Sequence, residues 1–306
     1  MKKSRWIISV LAVLSCVGLL LPLPWTIRDR LWHALEDLAH FPLFALIAMA
    51  LWLWLNPLSR TRRFWSALSL SVLLAVGVEL LQRYTHRDPS IEDVAMSALG
   101  ALAGVLLMDS FIGLRRLWRV VERCGVFALL VLALIPVSSV VFDRARSRAE
   151  FPLIASFERR SEWGRWSVRD AQMERVRNHA TEGKYALRFT VVSEPGPYPA
   201  AFMTDGIGNW EGYSELCLDI FLPGASNLVL WLRADDEEDY LRYADRAQIA
   251  VLLEPGENRV CVELSEFLRT PSARELRRDH LKRLGLFLNE PEGGEVLFVD
   301  NIRLRP

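Results

Sequence analysis

Two kinds of patterning divide the chain. Up to about residue 143 apolar residues gather in long runs, and from about residue 150 they alternate with polar residues at every second position. Five runs approach the roughly 20 residues that a membrane-spanning helix needs: 6–24, 41–57, 64–83, 93–113 and 124–142. Between the first two, Trp25 to His40 carries Arg28, Asp29, Arg30, His33, Glu36, Asp37 and His40, which predicts an amphipathic helix at the membrane interface. Beyond a basic linker from Arg144 to Arg148, the stretches Tyr213–Phe221, Asn227–Asp235 and Arg259–Leu264 read as strands, with turns at Pro223-Gly224, Pro255-Gly256 and Gly293-Gly294. About nine such strands, with a helical insert near 272–282, predict an antiparallel sandwich. The expected fold class is therefore multi-domain: an all-α five-helix transmembrane bundle over residues 1–143, then an all-β sandwich over residues 150–306.

Charge adds an orientation. Lys+Arg and Asp+Glu both number 37, so the formal net charge is zero and gives no support for a nucleic-acid partner. The flanks of the apolar runs are less even. Ten basic residues (Lys2, Lys3, Arg5, Arg60, Arg62, Arg63, Arg115, Arg116, Arg119, Arg123) fall on one side of the bundle, against Arg28, Arg30, Arg83 and Arg87 on the other. The positive-inside rule then places the N-terminus in the cytoplasm of a multi-pass inner-membrane protein, and an odd number of spans exports everything after Asp143. The first run lacks a small-x-small site before Pro22 and Pro24, so it is expected to stay as a helix. Cys16 and Cys124 lie in or beside apolar runs as packing residues. Cys217 and Cys261 fall in the exported half, where a disulfide is permitted if their strands are neighbours.

Polar residues at membrane depth are candidate functional groups. Glu79 and Gln82 share a helical face, Arg87 follows in a turn, and Asp93 opens the next helix, where it suits an N-terminal position. His33, Asp37 and His40 share a face of the preceding helix at a spacing that metal sites use. The expected constellation is Asp37, His40, Glu79, Gln82, Arg87 and Asp93, with Arg87 and His40 as partners of Glu79. Such a cluster suits a phosphate or polar headgroup, or a proton relay, and equally a buried polar network that fixes helix register. No nucleophilic serine or cysteine with a matched base accompanies it, so whether the cluster is catalytic stays open.

The spacing Glu79-x2-Gln82-x4-Arg87-x5-Asp93-x6-Gly100-x3-Gly104, preceded by Asp37-x2-His40, resembles the VanZ-like family of bacterial membrane proteins. That resemblance implies a link to the cell envelope and to glycopeptide tolerance, and names no reaction. Ser97 departs from it, since the family pattern usually has Asn there. Small residues at Ser97, Gly100 and Gly104 suit close helix contact.

In the second half, Ser156-Phe-Glu158 and Trp163, Gly183 to Leu187, Trp210 to Tyr213 and Val299 to Arg303 follow an order similar to the galactose-binding-like jelly rolls among carbohydrate-binding modules. The resemblance implies a jelly-roll sandwich and a structural calcium held by Glu158 and Asp300, for which hard oxygen ligands are suited. Alternation along 227–235 turns Leu228, Leu230 and Leu232 one way and Trp231, Arg233 and Asp235 the other. By the same parity Phe287 and Asn289 emerge beside them, with Tyr240 and Tyr243 in a nearby loop. Trp231, Arg233, Asp235, Phe287 and Asn289 could line a concave face and stack a glycan ring; the alternative packs Trp231 and Phe287 into the core between the sheets. No paired carboxylates suggest a glycosidase. The expected function is a non-catalytic envelope protein whose bundle, set in the lipid bilayer, carries an exported glycan-binding domain. The alternatives are a membrane factor acting on a lipid-linked headgroup through His40, Glu79 and Arg87, and a structural partner in a membrane complex.

Overall fold

The computed structural model describes Trp6 and residues 29–82, 90–112, 116–236 and 243–306. It divides into two compact units, Met1–Val140 and Val141–Pro306.

Four helices run through the first part of the chain: α1 (Arg30–Trp54), α2 (Arg60–Gln82), α3 (Ile91–Ser110) and α4 (Arg116–Glu150). Each is long and apolar enough to cross a membrane. The expected span at 6–24 lies outside the described residues apart from Trp6, so the described residues hold four candidate spans. The separate interfacial helix expected before residue 41 is instead continuous with the next run. Asp29 caps α1 by accepting from the Leu31 N–H at 2.9 Å, and the helix carries on through Pro42. A proline inside a helix loses one hydrogen bond; its neighbours Phe41, Leu43 and Phe44 are buried, and their packing offsets that loss.

The small residues of α3 set how near it lies to α1. A Cβ added at Gly100 would sit 2.1 Å from the Phe41 carbonyl oxygen, and one at Gly104 would sit 2.3 Å from that of Ala45. Backbones can approach this closely only where side chains are absent. Gly100→Val is therefore expected to destabilise the bundle by about 1–3 kcal/mol, the usual range for overpacking. Thermal melting of the full chain in detergent checks it, with Gly77→Ala as the control, because nothing lies within 4 Å of a Cβ there.

The basic linker expected at 144–148 is helical, forming the last turns of α4. Those turns belong to the second unit and are held to it by side chains. Arg165 donates to Asp143 through Nε at 2.7 Å and Nη2 at 2.9 Å, and Arg144 donates to Asp205 at 3.2 Å.

The rest of the second unit is a sandwich of antiparallel strands. They are β1 (Leu153–Ala155), β2 (Trp166–Arg169), β3 (Ala171–Val176), β4 (Ala186–Val191), β5 (Ala200–Met203) and β6 (Glu215–Leu222). Then come β7 (Leu228–Asp235), β8 (Ala247–Leu253), β9 (Gly256–Glu263), β10 (Arg283–Phe287) and β11 (Val296–Arg305). One sheet runs β3-β4-β11-β6-β9 with β1 on β11, and the other runs β2-β5-β10-β7-β8. Period-two alternation builds the core between them: Leu187, Phe189, Leu218 and Val299 from one sheet meet Leu230, Leu232, Leu284 and Leu286 from the other. Cys217 and Cys261 face each other across β6 and β9 and are bonded, with sulfurs 2.07 Å apart.

The helical insert expected at 272–282 is absent. A single helical turn occupies Leu264–Phe267, and the segment after it folds back on itself, with Leu276 N–H donating to the Leu268 carbonyl and Thr270 N–H to that of Arg274. Leu268, Leu276 and Leu281 are buried by this path and serve as a cover for the core.

Candidate functional site

The outer face of the five-stranded sheet carries the residues that the core does not use. Strand register arranges them in rows across the sheet. In one row Trp231 of β7 is opposite Phe287 of β10, with Ala200 of β5 beyond Phe287 and Ala250 of β8 beyond Trp231. The two rings stack with centroids 5.9 Å apart and planes 21° from parallel. Alanines on both sides leave the pair standing above the sheet. Phe287 is buried and Trp231 keeps a partly exposed surface, so Phe287 acts as the prop and Trp231 as the platform. They pack with Ala200 and Phe202 in a cluster of their own, apart from the core between the sheets.

The next row reads Ser167, Phe202, Gly285, Arg233 and Gln248 from β2 to β8. A Cβ at Gly285 would lie 2.2 Å from the Phe202 ring, so only glycine lets that ring lie flat on the sheet. The Arg233 and Arg283 guanidiniums sit 5.8 and 5.1 Å from the same ring centroid, within reach of its face. Arg233 also donates to Asp235 at 2.9 and 3.2 Å. Burial pushes the Arg233 guanidinium below its ordinary value, as do Arg246 and Arg283, while Asp235 acts against them.

These rows floor a cleft of about 500 Å³, within the range of small-molecule sites. Trp231, Arg233, Phe287 and Asn289 line it, and so does Tyr243; Tyr240 lies outside the described residues. Asp235 does not line it, because its buried carboxylate lies against Arg233 and fixes that side chain from beside. Sequence reasoning missed Arg169, Tyr198, Phe202, Arg246, Gln248 and Arg283. Parity would have given Arg283, two residues before Gly285 on the Phe287 face, whereas Arg169 and Phe202 need the β2-β5-β10 order, which no local pattern contains.

The membrane unit brings a second group together. His40, Glu79 and Asp93 are all buried, each from a different helix, and their ligating atoms lie within 4.8 Å of one another. His40 Nε2 is 3.7 Å from Asp93 Oδ2, and its Nδ1 is 3.2 Å from the Ser97 hydroxyl. Glu79 accepts from the Ser90 N–H at 3.0 Å. Ser97, the departure from the family pattern, thus takes up a contact to the histidine. Asp37 sits beside Asp93 within hydrogen-bonding reach. His33 is exposed and faces Glu36 at 3.6 Å, away from this group. Arg87 and the Gln82 side chain lie outside the described residues.

Glu158 and Asp300 brace one loop. Glu158 accepts from the N–H groups of Lys184 and Tyr185 at 2.7 Å, and Asp300 from those of Thr181 and Glu182 at 2.7 and 2.8 Å. Asp300 also accepts from the Asn301 N–H at 2.7 Å. Burial pushes the Asp300 carboxyl above its ordinary range, with these donors working against the shift. The chemistry shown is acceptance from peptide N–H groups, which a calcium ion would have to displace to reach the same oxygens. This arrangement makes the two carboxylates a clamp on the loop.

Comparison with known proteins bears on both units. Residues 5–112 match the VanZ/LLP1 family model. The matched stretch contains Asp37, His40, Glu79 and Asp93 and ends before α4. No curated protein sequence matches the chain. Among solved structures, the chain is similar to a family 11 carbohydrate-binding module from Clostridium thermocellum in complex with a β-1,3-1,4-mixed-linked tetrasaccharide. The identity is 13%, the similarity covers 50% of this chain and 94% of that one, and the TM-score is 0.40. A CBM22-1 xylan-binding domain from Paenibacillus barcinonensis Xyn10C is similar at 15% identity over 49% of this chain and 90% of that one, with a TM-score of 0.35. An exo-β-agarase is similar at 14% identity over 50% of this chain and 24% of that one, with a TM-score of 0.40.

Proposed function

We propose that this is a bacterial envelope protein whose membrane bundle anchors an exported sandwich that binds a glycan without cleaving it. The observation that carries the reading is the cleft on the five-stranded sheet. An indole platform flanked by alanines offers an apolar face for a sugar ring, and Arg233, Gln248, Arg283 and Asn289 offer planar hydrogen-bonding groups around it. Among the described residues no carboxylate lines the cleft, which supports binding without the paired acid and base that glycoside hydrolysis uses. Two features support an exported sandwich and a cytoplasmic N-terminus: the uneven spread of basic residues around the helices, and the Cys217–Cys261 disulfide, which persists in oxidising compartments. Pull-down of the full chain in nanodiscs by insoluble envelope and plant polysaccharides tests the reading. Retention by at least one polysaccharide, released by its soluble oligosaccharide, is the expected result; a folded chain retained by none overturns it.

A second reading is favoured by the burial of His40, Glu79 and Asp93 together at membrane depth, where ionisable groups are expensive to keep. It makes the bundle a membrane factor that acts on a lipid-linked headgroup through His40, Glu79 and Arg87, with the Arg87 guanidinium as the cation for its phosphate. Native mass spectrometry of the full chain with lipid-linked phosphates is expected to show an adduct that Glu79→Gln loses while still inserting normally.

A further inference from the structure

Two carboxylates and an imidazole meet inside the membrane unit, with their ligating atoms within 4.8 Å of one another. His40 comes from α1, Glu79 from the end of α2 and Asp93 from the first turn of α3, so three separate helices aim a polar group at one point. All three side chains are buried. Carboxylates taken out of water need compensating positive charge or protonation.

The distances narrow the choice. His40 Nε2 and Asp93 Oδ2 are 3.7 Å apart, which is beyond a hydrogen bond. It is within the separation of two ligands that share an ion at about 2.0–2.2 Å each. The contact between Ser97 and Nδ1 fixes the ring from its other side and leaves Nε2 pointed at the carboxylates. A metal-bound histidine is oriented in this way, by a polar partner on its second nitrogen. Among the described residues the other group of ligating side chains, Glu215 with Cys217 and Cys261, is closed to metal because its two sulfurs are bonded to each other.

We propose that His40, Glu79 and Asp93 bind a divalent transition-metal cation, with Asp37 beside Asp93 as an outer carboxylate. One nitrogen and two carboxylate donors form a mixed, borderline set. By the Irving–Williams order such a set prefers Zn²⁺ to Mn²⁺, and its nitrogen disfavours Mg²⁺. The close packing of α1 on α3 at Gly100 and Gly104 brings His40 to Asp93 and Ser97, so the site depends on the small residues of α3. This inference is independent of the glycan reading.

The test is metal analysis of the full chain purified in detergent. The protein is stripped with a chelator, incubated separately with Zn²⁺, Mn²⁺ and Mg²⁺, desalted and measured by plasma mass spectrometry. The expected result is about one equivalent of retained Zn²⁺, less Mn²⁺ and no Mg²⁺, since geometry and donor type set the selectivity. His40→Ala and Glu79→Gln lose the Zn²⁺, and Glu215→Gln keeps it. Should either variant fail to fold, the melting temperature of the stripped wild-type chain decides, because a ligand that binds only the folded state raises it. An unchanged melting temperature with no retained metal overturns the proposal, and so does Zn²⁺ that survives in folded His40→Ala and Glu79→Gln proteins.

Discussion

Arg165→Ala is expected to lower the stability of the second unit by about 3–5 kcal/mol, the range for breaking a buried ion pair from one side. Arg165 is 2% exposed and Asp143 is fully buried, and the guanidinium meets the carboxylate through two nitrogens. A third nitrogen donates to the Ile154 carbonyl at 3.2 Å, at the start of the sandwich. The alanine variant removes all three bonds at once and leaves the Asp143 carboxylate in a dry site without its guanidinium. Arg165→Lys keeps the charge but not the fork, so it should fall between the two. Chemical denaturation of the full chain in detergent, followed by tryptophan fluorescence, measures the difference. A loss below about 1 kcal/mol would mean that the pair behaves like an exposed one.

Trp231→Ala should weaken glycan binding by about 2–3 kcal/mol, or roughly 30- to 150-fold in affinity, as expected when a central aromatic anchor is truncated. The indole supplies the exposed part of the stacked pair, and the alanines at 200 and 250 cannot replace its area. Its removal should hardly change unfolding, because Trp231 lies outside the core between the sheets. Phe287→Ala is expected to weaken binding less directly, by letting the indole tilt, and to cost stability as well, since Phe287 is buried. Calorimetric titration beside thermal melting separates the two effects. Equal affinity in a folded Trp231→Ala protein would move the glycan away from this face.

Much of the fold is legible because its signals are local. Period-two alternation gives β6 and β7 to within two residues and β9 to within three, and it turns Trp231 and Arg233 away from Leu230 and Leu232. Runs of apolar residues give α2, α3 and the apolar part of α4. What fails is where tertiary packing overrides local preference. The charged residues from Arg28 to His40 suggested a separate interfacial helix, yet α1 continues through Pro42 into the apolar run, with Phe41, Leu43 and Phe44 buried. Arg144 to Arg148 looked like a linker by charge, yet ion pairs to the sandwich make those residues part of a helix. The segment 272–282 was expected to be helical, and instead it lies in a folded-back path that buries Leu268, Leu276 and Leu281. In the cleft, residues on β7 and β10 are readable from parity, while Arg169, Phe202 and Gln248 join them only through strand order. Asp235 has the right parity but the wrong role, since its short side chain reaches Arg233 before it reaches the cleft.

The most direct test is the structure of the full chain with an oligosaccharide released from the retained polysaccharide. The account predicts a sugar ring stacked on Trp231, with its hydroxyls toward Arg233, Gln248 or Asn289. A ring bound on the β3-β4-β11-β6-β9 sheet, or a folded chain that binds no glycan, would contradict it.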